Sequence, residues 1–125
     1  MITAALIFAA VAALLHVYIF TMESLTWTSS RTRATFGTTP EEAETTKLLA
    51  FNQGFYNLFL ALGVAGGLLL IAAGDQAAGR GVALFACACM AGAGAVLGST
   101  YRRLAGAALV QAVPPLIALV AAFTL

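Results

Sequence analysis

The chain has 125 residues, of which 62% are hydrophobic and 9% charged, with a net charge of +1. A soluble domain usually carries about 25% charged residues, so this composition excludes a water-facing globule. Six basic and five acidic residues leave no patch suited to nucleic acid, and two cysteines exclude a disulfide scaffold.

What remains is an all-α integral membrane protein. A membrane-crossing helix needs about 20 largely apolar residues to pass a hydrocarbon core of about 30 Å. Four such runs follow one another, at about 2–22, 48–73, 81–98 and 104–125. They predict a single-domain, antiparallel, up-down four-helix bundle. The first run lacks a basic leading region and a small-residue cleavage site, so it reads as a permanent helix rather than a secretion signal.

The loop over 28–39 is rich in Thr, Ser and Arg and ends in Thr39-Pro40-Glu41-Glu42. That combination supplies an N-cap, a proline at the first helical position and a capping-box glutamate, so the second helix is expected to start near Pro40. From there to residue 73 it would measure about 50 Å. It must protrude as an extension of the loop over 28–47, tilt, or break near Gly54. Glu41, Glu42 and Glu44 serve this exposed start, with Glu44 and Lys47 spaced for a pair one turn apart.

The remaining connections, 74–80 and 99–103, are short and predict antiparallel neighbours. Arg31, Arg33, Lys47, Arg102 and Arg103 fall on one side and Arg80 on the other. The positive-inside rule makes the five-charge side cytoplasmic and puts both termini outside, in a multi-pass protein of the cell membrane. Gly63 with Gly67, and Gly94 with Gly98, allow helices to approach closely.

Polar side chains inside the runs are costly and mark functional sites more often than chance. His16, Glu23 and Trp27 lie on one stripe of the first helix, with His16 and Glu23 within about 20° around the axis and about 10 Å apart along it. Asn52, Gln53, Tyr56 and Asn57 share an arc of the second helix, and Gln111 on the fourth comes out at the depth of His16 and Asn57. Together these predict a polar pocket opening toward the cytoplasmic leaflet, with His16 and Glu23 as acid and base and the others as substrate contacts. Each has a plainer reading. Amides such as Gln53 and Gln111 often only join helices, Trp27 and Tyr101 fit an interfacial aromatic belt, and Glu23 could pair with Arg31 or Arg33. Cys87 and Cys89 point in nearly opposite directions from one helix, and one histidine with one glutamate does not make a zinc set. No metal or cofactor is expected.

The pattern His16-x6-Glu23-x3-Trp27, then Phe36-Gly37, Glu44-x2-Lys47 and Ala50-x-Asn52-Gln53-Gly54-x-Tyr56-Asn57, with an echo in Gln111 and Pro114, resembles the small bacterial membrane proteins called domain of unknown function 1304. The resemblance implies a four-helix membrane protein and supplies no reaction.

Three classes of function fit these residues. An intramembrane enzyme would use His16 or Glu23 in acid/base chemistry on a lipophilic small molecule, by isomerisation, cyclisation or epoxide opening. A small proton-coupled multidrug-type transporter would exchange protons for cations at Glu23. Against it, Glu23 lies near a helix end rather than the midplane. A structural subunit would use the polar groups as helix glue and the glycine faces to meet other chains. The expected partners are the lipid bilayer, a lipophilic substrate and a second copy of the chain.

Overall fold

A computed structural model describes residues 1–124; Leu125, the expected end of the fourth run, lies outside them. The described chain is all-helical. Helix α1 (Thr3–Phe20) continues into a π-helical turn, Thr21–Leu25, and is followed by the short α2 (Ser30–Phe36), α3 (Pro40–Ala72), α4 (Gln76–Thr100), a 3-10 turn at Arg102–Leu104, and α5 (Ala105–Thr124). Four stretches, Thr3–Leu25, Pro40–Ala72, Gln76–Thr100 and Arg102–Thr124, are long and apolar enough to cross a membrane.

Local chemistry sets the ends of these helices. Thr39 Oγ1 accepts from the Glu42 amide at 3.1 Å while Glu42 Oε2 accepts from the Thr39 amide at 3.0 Å, so α3 starts at Pro40 with two of its free amides satisfied. Asp75 caps α4 through the Ala78 amide, which brings five residues of the expected 74–80 turn, 76–80, into the helix. Ser29 caps α2 through the Thr32 amide, and Gly37, at φ +68°, ends it in the left-handed conformation that glycine adopts without strain. The segment read as a loop therefore contains a helix of two turns.

Helix α1 packs on α3 and α5, and α4 packs on the same two from the opposite corner, so neighbours around the square run antiparallel. The α1 seam consists of Ala5, Ala9, Ala12 and His16, all buried and spaced three or four residues apart. Ala9 and Ala12 meet Val64, Ala86, Cys87, Met90 and Ala118 in the core. Larger apolar side chains such as Leu14, Leu69, Phe85 and Phe123 lie on the outside. Helices apolar on both faces suit a lipid surrounding.

Small residues set the helix spacing. A Cβ added at Gly67 would stand 2.7 Å from the Ala83 nitrogen and the Gly79 carbonyl oxygen, so α3 and α4 touch backbone to backbone there. Helix α3 runs unbroken for 33 residues, and Gly54 does not bend it. Helix α5 accepts Pro114 and Pro115 in its interior, each removing one backbone donor, as membrane helices tolerate. Two arginines join the ends of the bundle: Arg80 donates to the Ala122 carbonyl and Arg103 to that of Gly37, both at 3.3 Å.

Candidate functional site

The site begins with the change in helical pitch at the end of α1. Beyond Phe20 the backbone bonds run five residues back, as from the Thr26 amide to the Thr21 carbonyl at 3.1 Å, and the wider turn reaches toward α3. Ser24 Oγ donates across the gap to the Phe51 carbonyl at 2.8 Å. Gly54 sits opposite, where an added Cβ would run into the Ser24 hydroxyl and come within 2.9 Å of its backbone nitrogen.

This close crossing turns Glu23 toward α3. Asn57 Nδ2 donates to Glu23 Oε1 at 2.8 Å and also to the Gln53 carbonyl at 3.1 Å, so both of its amide hydrogens are engaged and the amide is fixed. The second carboxylate oxygen of Glu23 has no protein partner among the described residues. Glu23 lines a cleft of about 310 Å³ together with Trp27, Lys47 and the apolar side chains Leu25, Leu48 and Phe51. Those three apolar residues and Lys47 are exposed, whereas Glu23 and Trp27 are half-buried.

Trp27 lies past the end of the π-turn rather than on a continued helix. Its Nε1 donates to Thr46 Oγ1 at 3.1 Å, and its ring packs against Phe36 with centroids 5.0 Å apart. α2 and α3 thereby hold the indole as one wall of the cleft. Lys47 donates to Glu44 at 2.6 Å, which leaves two of its three ammonium hydrogens uncommitted.

The other expected residues stand elsewhere. His16 is 1% exposed, in the alanine seam, with Nδ1 2.8 Å from the Ala12 carbonyl oxygen. A carbonyl can only accept, so Nδ1 carries the hydrogen. His16 does not line the Glu23 cleft. Asn52, Gln53 and Tyr56 are exposed, and of the four polar residues on that arc Asn57 is the one bonded to Glu23. Gln111 is half-buried on α5, with no side-chain hydrogen bond among the described residues. The structure thus joins Glu23, Trp27 and Asn57 around one crossing and leaves His16 and Gln111 apart from it. Ser24, Thr46, Lys47 and Leu48 enter the site without having been singled out for it. The pairing of a serine with a glycine was the signal for Ser24 and Gly54, yet it needs the helix register to be read. Among the described residues no three His, Cys, Asp or Glu side chains stand together as a metal site.

Four long apolar helices in an antiparallel square, with a carboxylate held at one end, define a small helical bundle of membrane-spanning character. The chain belongs to the family described as proteins of unknown function, DUF1304, whose profile matches residues 10–123 and so covers every residue of the site. No curated protein and no solved structure matches the chain.

Proposed function

We propose that this chain is a multi-pass cell-membrane enzyme that isomerises a lipophilic small molecule in the Glu23 cleft, with Glu23 as the proton-transferring group. The observation that carries the reading is the Glu23 carboxylate itself. One oxygen is fixed by Asn57 and the other has no partner among the described residues, in a cleft lined by exposed apolar side chains. The charge bias of the loops supports a cleft facing the cytoplasmic leaflet.

The absence of His16 from this cleft favours one-base chemistry over schemes needing a separate acid and base. A single carboxylate can remove a proton from the carbon between a carbonyl and a double bond and return it at the far end of the dienolate. The double bond moves, and no atom is gained or lost. The uncommitted hydrogens of Lys47 suit the charge that develops on the carbonyl oxygen, and the apolar lining keeps water from competing for the proton.

The test is turnover of a long-chain β,γ-unsaturated ketone by protein reconstituted in lipid nanodiscs, followed by absorbance of the conjugated product. Wild type should exceed empty nanodiscs, and Glu23→Gln should lose activity by about 10²–10⁴-fold while keeping the wild-type melting profile. A Glu23→Gln variant as active as wild type, or a wild type no faster than empty discs, would refute the assignment.

A further inference from the structure

A second cleft, of about 270 Å³, lies between the end of α1 and α2 and shares no lining residue with the Glu23 cleft. Its walls are rich in hydroxyls, but most of their hydrogens are already committed. Thr21 donates to the Tyr18 carbonyl, Thr26 to that of Thr21, and Thr35 to that of Arg31. Thr32 is 3% exposed and shares a 2.8 Å hydrogen bond with Thr26.

Three donors are left over. Ser29 Oγ accepts from the Thr32 amide, so its own hydrogen is free. The Arg31 guanidinium and the Tyr18 phenol make no side-chain hydrogen bond among the described residues, and no carboxylate there lies within ion-pair distance of Arg31. A cation and two hydroxyl-bearing side chains lining one cleft match the oxygens of a phosphate. Arg33, tied to the Thr28 carbonyl nearby, adds positive potential without occupying the cleft.

The cleft also continues onto an apolar track. Ile7, Val11, Leu14 and Tyr18 are all exposed and lie at spacings of four, three and four along one face of α1. The track ends at Tyr18, on the cleft wall. We infer that this cleft binds the phosphate of an anionic phospholipid through Arg31, Ser29 and Tyr18, with an acyl chain lying along the Ile7-to-Tyr18 face.

The experiment is native mass spectrometry of the detergent-purified chain titrated with phosphatidylglycerol or phosphatidylcholine. Wild type should retain one phosphatidylglycerol per chain at concentrations where phosphatidylcholine is lost. Arg31→Gln should weaken that retention at least about tenfold, as expected for loss of a charge-assisted contact, and Tyr18→Phe by about threefold or more. Arg102→Gln, in the other arginine-bearing turn, should leave it unchanged. Arg31→Gln retaining the lipid like wild type, or equal retention of the two lipids, would overturn the proposal. Displacement of the lipid by millimolar inorganic phosphate would also overturn it and assign the cleft to the free anion. Should Arg31→Gln not fold, Tyr18→Phe decides alone, and unchanged retention there overturns the proposal.

Discussion

Gly54 and Ser24 meet where the π-turn crosses α3, and their contact holds Glu23 against Asn57. A methyl group at position 54 has nowhere to go, because its obstacles include the Ser24 backbone nitrogen at 2.9 Å as well as the hydroxyl. Gly54→Ala should therefore destabilise the folded chain by about 1–3 kcal/mol, the usual cost of overpacking, and adding Ser24→Ala should recover only part of it. Denaturant titration in detergent measures both variants. Gly66 is the control: nothing lies within 4 Å of a Cβ placed there, so Gly66→Ala should be neutral or stabilise by up to about 1 kcal/mol. Recovery of full stability in the double variant would show that the hydroxyl, not the backbone, sets the spacing. Residue type announced that Glu23 and Asn57 are unusual in apolar runs. Their pairing across 34 positions of sequence depends on how two helices are rotated, which composition does not encode.

At the level of elements, the Thr39–Glu42 exchange holds the first turn of α3, where Pro40, Glu41 and Glu42 are exposed and Ala43 alone packs inward. Thr39→Ala should cost about 1 kcal/mol, read as roughly fivefold faster hydrogen exchange at the Glu42 amide with no change at residues 60–70. An unaltered exchange rate would mean that packing, not the cap, holds that turn. This cap was legible because its spacing is local. The π-turn was not. Extrapolating a regular helix from His16 put Glu23 and Trp27 on the histidine's stripe, and the wider turn over Thr21–Leu25 breaks that regularity, with Trp27 beyond the helix altogether. Nor does composition announce α2, whose Thr- and Arg-rich sequence reads as a loop until Ser29 and Gly37 are recognised as its two ends. The four long helices, by contrast, follow from run length alone, and their antiparallel order from the short turns.

The molecule as a whole is asymmetric in charge: the α1–α3 and α4–α5 connections carry the arginines, and Arg80 stands alone near the α3–α4 turn. Gln76→Cys should then react with a membrane-impermeant maleimide on intact cells, and Thr35→Cys only after permeabilisation, both in a background lacking Cys87 and Cys89. The reverse pattern would invert the orientation and move the Glu23 cleft to the outer leaflet. The alanine seam of α1 has a further consequence for traffic across the bilayer. Side chains of one carbon at Ala5, Ala9 and Ala12, each fully buried, let α1 pack closely against α3 and α5 along the bundle. A solute crossing through the centre would have to prise α1 away from α3 and α5 over several turns at once, forfeiting the close packing that holds membrane helices together. Passage along the bundle's outer wall, or between copies, avoids that barrier. A lipophilic molecule bound in the proposed Glu23 cleft would accordingly enter sideways at the rim and leave the same way.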